Sequence, residues 1–231
     1  MRTVEQAAET ARTMKTIAVP GRTTNGPEER PDVHVHTFIG ASVNRDANLT
    51  SEFHAAEAEK RLRSAAKVEV AAPAKAARGA KSKLRVSVTN VAAGHSIPTS
   101  ITELRQVWID VRVTDADGAE VFRSGAVDAA GRVDPAASMF HSVLLDEKGE
   151  VTFLPWRAAK VAKERLIPAK STVHEDYEFT VPAGAKGPLR VAAALNYRSA
   201  PQDKLDALFG KGTFTIRTVE MAAASAQCDV E

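Results

Sequence analysis

From Ser82 to Asn90 apolar and polar residues alternate: Leu84, Val86 and Val88 point one way, Arg85 and Ser87 the other. That period of two belongs to a β-strand with one buried face. RQVWIDVRVTD repeats it, with Val107, Ile109, Val111 and Val113 on one side and Trp108, Asp110 and Arg112 on the other. The turn DADG at Asp115–Gly118 leads directly into AEVFRSG, so these two runs are expected to pair as a hairpin. Further strands are expected at 173–182, 188–198 and 212–221, with short helical pieces near 156–165 and 201–209. Short strands divided by Pro and Gly turns predict a mainly β fold, an immunoglobulin-like β-sandwich rather than a βαβ arrangement.

The N-terminal third has a different texture. Residues 3–16 open on a Thr-x-x-Gln capping box at Thr3 and Gln6 and continue as an Ala-rich run, which favours a short helix. AVPGRTTNGPEERP, residues 18–31, holds three prolines and two glycines and reads as a linker or long loop. A second helix is expected from Thr50 to about Ala66: Thr50 or Ser51 caps it, Glu52 suits the first-turn dipole, and Phe53, Ala56, Leu62 and Ala66 recur at helical spacing. AAPAKAARGAKSK, residues 71–83, reads as an exposed connector. The expected organisation is therefore a helical and irregular segment over 1–80, the sandwich over 81–221 and a flexible tail over 222–231.

Composition narrows the function classes. The 231 residues carry 31 Lys+Arg against 29 Asp+Glu, a net charge of +2, too balanced for a dedicated duplex-DNA binder. Nucleic acid is not an expected partner. The apolar runs are strand-sized, no membrane span is expected, and the start MRTVEQAAET has no apolar core of an export signal. Charge is nevertheless uneven, because nine basic residues and one acid, Glu69, lie between Lys60 and Arg85. Such a run is either a solvated face or a docking patch for an acidic partner. The single cysteine, Cys228, allows neither an internal disulfide nor a Cys-based zinc cluster nor a CxxCH haem-attachment motif.

Six histidines are the candidate ligands. His34 and His36 lie two apart in PDVHVHTFIG, so an extended segment would turn both rings to one face. His54 sits early on the second helix. His95 lies in NVAAGHSIPTS, where Gly94 lets the backbone approach closely and Pro98 stiffens the chain after it. His141 and His174 read as structural. There is no GxSxG elbow, no HExxH and no phosphate-cradling glycine loop. DADG at 115–118 and DEKG at 146–149 lack the spaced ligands of an EF-hand and read as turns.

The segments HTFIGAS, AEKRLRSAAKVEV, VTNVAAGHSIPTS, ELRQVWIDVRVTDADGAEVFRSG, RLIPAKSTVHEDYEFTVP and LRVAAALNYR, in this order over about residues 31–200, resemble the C-terminal part of bacterial multihaem c-type cytochromes. In those proteins an H-x-F-x-G segment closes the haem-bearing region, a helix follows, and the sandwich begins with a strand and a G-H-x-[FIL]-P-T loop. The resemblance implies electron transfer, with His36 and His95 as axial ligands of haem iron and His34 and His54 as further candidates. It also implies a periplasmic or cell-surface location. The departure is the lack of covalent attachment sites: AETARTMKT, residues 8–16, is similar to a CxxCHTMKT segment with Ala8, Ala11 and Arg12 in place of the two cysteines and the histidine. No covalently bound cofactor is expected. The expected function is that of a non-enzymatic, haem-free partner or scaffold that packs against a multihaem c-type cytochrome and lends axial histidines to haem c of that partner chain. Two alternatives stay open: a β-sandwich assembly or adhesion module without a redox role, and a mononuclear metal enzyme using His34, His36 and one further ligand.

Overall fold

The computed structural model describes residues 18–21, 30–34, 39, 43 and 51–231. Thirteen strands are present among them. β1 (Ala18–Gly21) and β2 (Arg30–His34) pair antiparallel, which corrects the expectation of an unstructured linker over 18–31. Pro20 is accommodated because the register shifts between Val19 and Gly21, leaving this residue, which has no amide to donate, out of the ladder.

α1 (Glu52–Ala65) starts where the sequence predicts, with the Ser51 side chain accepting from the His54 amide at 3.2 Å. It passes without a loop into β3 (Ala66–Ala71). β4 (Lys75–Ala76) and β5 (Lys81–Asn90) follow, then β6 (Gln106–Thr114) and β7 (Glu120–Ser124). Next come β8 (Met139–Leu145), β9 (Val151–Thr152), β10 (Lys160–Arg165) and β11 (Thr172–Thr180). β12 (Leu189–Arg198), α2 (Gln202–Phe209) and β13 (Val219–Val230) complete the chain.

Two sheets make the sandwich. The larger runs β10-β8-β6-β12-β13-β4, with β7 also on β6 and β9 also on β8; the smaller runs β11-β5-β3. The alternation seen in the sequence becomes the core, since Leu84, Val86 and Val88 of β5 and Val107, Ile109, Val111 and Val113 of β6 are all buried in one cluster with Leu189, Val191 and Leu195 of β12. Each such side chain contributes about 1.5–3 kcal/mol relative to exposure. Trp108, on the other side of β6, is buried as well: its Nε1 donates to the Gly125 carbonyl at 3.0 Å and the Arg198 guanidinium lies 5.4 Å from its ring centroid. Gly125 has φ +82, and a Cβ there would meet the Ile109 oxygen at 2.2 Å, so only glycine lets this turn close over β6.

The fold is the expected immunoglobulin-like β-sandwich, but its limits differ from those the sequence suggests. β3 and β4 bring residues 66–76 into the sheets, before the expected boundary at residue 81. Residues 222–230 are a strand and not a loose tail: Ala222 to Cys228 pair with Leu195 to Leu189 of β12, and Cys228 is buried. Alanine favours helix locally, yet ladder bonds to a buried neighbour override that weak preference. The helical piece expected near 156–165 shrinks to a single turn over Pro155–Arg157, because β10 is held extended by β8. In the expected strand 212–221 only the end joins a sheet. Before it, Gln202 takes the place of a strand, its amide donating to the Phe214 carbonyl at 2.8 Å and accepting from the Ile216 amide at 2.9 Å.

Candidate functional site

β5 ends on Asn90, whose side chain is fully buried and fastens the loop that follows. Its Nδ2 donates to the carbonyls of His95 at 2.8 Å and Ile167 at 3.1 Å, and its Oδ1 accepts from the Ala93 amide at 3.1 Å. Ile97 and Ile167 exchange two backbone bonds, and the Ile97–Pro98 peptide is cis. The loop is thus pinned at both ends and at its middle. It holds His95 outward: the ring is exposed, and its Nδ1 lies 2.9 Å from the Ser96 carbonyl. A carbonyl only accepts, so Nδ1 carries the hydrogen and in the neutral ring Nε2 holds the lone pair. Histidines that bind metals are oriented in this way, by donating the other ring N–H to a carbonyl.

His95 stands at the rim of a cleft of about 600 Å³ between α1 and this loop. Leu62 and Ala65 of α1 form one wall, Ala93, Ile97 and Pro98 the other, and Tyr197 and Met221 the floor. Arg61 and Arg105 supply the charge at its edges. Arg105 is half-buried and held by one bond, Nη1 to the Ser199 carbonyl at 3.0 Å. Burial pushes the Tyr197 hydroxyl up from its ordinary pKa, against the pull of the Arg105 charge. A mostly apolar slot with a few convergent polar groups is the usual form of a small-molecule or cofactor site.

The other histidines are placed differently. His54 is half-buried on α1, its Nδ1 2.6 Å from the Ser51 hydroxyl and its ring edge-on to Phe53. His34 ends β2, its backbone opposite Ala18. His36 lies outside the described residues. His174 pairs across strands with the Ser87 hydroxyl at 2.9 Å, and His141 sits half-buried where desolvation pushes its pKa down. The described residues contain no group of three His, Cys, Asp or Glu side chains able to hold a metal ion.

The basic run from Lys60 to Arg85 is not a free cationic patch. Lys81 and Lys83 both reach Glu178, Arg85 grips Asp176 at 2.6 and 2.8 Å, Lys67 meets Glu69 and Lys75 meets Glu231. The expected turns are turns: Asp115 Oδ1 accepts from the amides of residues 117 and 119, and Asp146 Oδ1 from those of 148 and 150. Asn90, Arg105 and the α1 wall were not singled out from the sequence. The one local signal was the VTN that ends a strand just before the glycine-proline loop.

The residues present fit a haem better as ligand and lining than as anchor. The cleft offers apolar walls and an outward imidazole, whereas the only thiol, Cys228, is buried and alone, so these 231 residues cannot form thioether links through a CxxCH motif. No protein-family model and no curated protein matches the chain. Among solved structures, a penta-haem cytochrome c552 from Thermochromatium tepidum superposes with a TM-score of 0.54 at 21% identity, over 73% of this chain and 41% of the cytochrome. A CARDB domain from Pyrococcus furiosus, solved in complex with di-metal ions, superposes with a TM-score of 0.34 at 11% identity, over 72% of this chain and 87% of that one. The likeness to the cytochrome is one of fold, and this chain spans less than half of its length.

Proposed function

We propose that this chain is a non-enzymatic electron-transfer partner that packs against a multihaem c-type cytochrome and offers His95 as an axial ligand to one of that protein's haems. The observation that carries the proposal is the exposed His95 ring, its Nδ1–H bound to the Ser96 carbonyl, at the rim of an apolar cleft. The fold shared with the penta-haem cytochrome supports it. Haem, when bound, supplies the one-electron chemistry. The chain's own residues present an imidazole, exclude water through Leu62, Ile97 and Pro98, and keep the loop stiff through Asn90. His36, His34 and His54 are further candidate donors, and the reading carries with it a periplasmic or cell-surface location. Among the described residues no helix is long and apolar enough to cross a membrane.

The test is the absorption spectrum and redox titration of the chain in complex with a multihaem c-type cytochrome co-purified from the same cells. Ligation by His95 shifts the Soret band and lowers one haem potential, and His95→Ala removes both effects. A confirmed complex with unchanged spectrum and potentials overturns the ligand role. A second reading, a sandwich module for assembly without redox function, is favoured by Trp156 and Val151, which are 79% and 75% exposed on the β9–β10 connection and β9. It predicts that Trp156→Ser weakens partner binding while His95→Ala leaves it intact.

A further inference from the structure

Arg105 differs from two other half-buried arginines, Arg123 and Arg165, in having no carboxylate partner among the described residues. Arg123 pairs with Asp110 at 2.7 Å and Arg165 pairs with Glu175, each across neighbouring strands. Arg105 has Glu103 two positions away, yet makes no ion pair with it, and Glu103 Oε1 is buried without a hydrogen-bond partner. The Ser199 carbonyl accepts one Nη1–H and tethers the guanidinium beside the cleft it lines. Arg61 stands on α1, on the opposite wall from the His95 loop. A half-buried guanidinium oriented by one neutral acceptor keeps most of its donors for an anion, and its fork matches a carboxylate in a bidentate pair.

We infer that Arg105, with Arg61, selects the occupant of the cleft by its carboxylates, so that the site takes a porphyrin through its propionates as well as through iron. This deepens the reading of the cleft as a haem contact and rests on it. The apolar walls would take the ring, the His95 imidazole would offer its Nε2 lone pair to the metal, and the Arg105 charge would meet the propionate oxygens. The same chemistry serves a haem held by a partner chain or a free one, and the two arms of the experiment separate these sources.

In the first arm the full chain is titrated with ferric protoporphyrin IX and with its dimethyl ester, both kept monomeric in dilute detergent, and dissociation constants are read from the Soret change. The expected result is about tenfold tighter binding of the diacid, lost in Arg105→Gln and reduced in Arg61→Gln, while affinity for the ester is the same in all three proteins. Constant ester affinity also shows that the variants fold. Equal affinity of the wild-type chain for diacid and ester, equal losses for both in Arg105→Gln, or no binding of either porphyrin overturns the inference. The second arm repeats the variants in the cytochrome complex. A Soret shift there that is insensitive to Arg105→Gln leaves the ligand role standing and removes the propionate role. Free-porphyrin selectivity without any effect in the complex does the reverse.

Discussion

Strand β5 borders two regions that use the same residue types to opposite ends. Along its outward face toward β11, every polar side chain from Lys81 to Thr89 finds a cross-strand partner: Lys81 and Lys83 with Glu178, Arg85 with Asp176, Ser87 with His174, Thr89 with Thr172. Just beyond its end, the His95 ring bonds only to the next residue's carbonyl, and Arg105 only to a carbonyl of the chain after β12. Histidines and arginines of the first region are satisfied by the sheet. Those of the second are oriented by backbone carbonyls, with no side-chain partner among the described residues. Exposure does not separate the two, since His95 and Arg85 are both at the surface; the presence or absence of a cross-strand side-chain partner does.

The largest effect is expected from breaking the sheet that carries both regions. Leu84→Ala leaves a cavity between the sheets and costs about 2–5 kcal/mol, read as a lower urea midpoint, with both regions lost together at the transition. Next comes the clasp. Asn90→Ala removes three hydrogen bonds, leaving the His95 carbonyl and the Ala93 amide without this partner while the Ile167 carbonyl keeps the Ile97 amide, and costs about 1–3 kcal/mol in the same assay. It is expected to weaken porphyrin binding at temperatures where the protein is still folded, and to leave the β5–β11 face unaltered.

A smaller effect is expected from the charged ladder, and it sharpens the contrast through pH. Hydrogen bonds from Arg85 hold the Asp176 carboxyl below its usual pKa, and those from Lys81 and Lys83 do the same for Glu178. A carboxyl with a depressed folded pKa adds stability that is present above its unfolded value, near 4, and is lost as pH falls through the lowered folded one. Melting temperatures should therefore fall as pH drops below about 4, less steeply in Arg85→Gln. High salt should shrink the difference between the two proteins, because the pairs are exposed. His174→Ala, on the same face, should change neither stability at pH 7 nor porphyrin binding.

The strands with strict alternation, β5, β6, β11 and β12, were legible because a period of two over nine or ten residues has one physical solution. β13 was not, since MAAASAQ has no alternation of size and becomes a strand only through β12. β10 was missed for the same reason, being fixed by β8 and not by its own pattern. For the site, Gly94 and Pro98 marked a stiff loop around His95, which is where that loop lies. The clasp was hidden because Asn90 reaches Ile167, 77 residues away. The neutralisation of the basic run was hidden for the same reason, for the acids that pair with Arg85 and Lys81 lie 91 and 97 residues further along.

The proposal assigns axial ligation to His95, on the loop beside the cleft, and not to His174 on the β5–β11 face. It is tested by adding the chain to a ferric c-type haem peptide whose own histidine fills one axial position and whose other is open. Conversion from high to low spin is expected with the wild-type chain and with His174→Ala, and none with His95→Ala, a variant that should lose less than about 0.5 kcal/mol of stability. Conversion that survives in His95→Ala, or none with the wild-type chain, would contradict it.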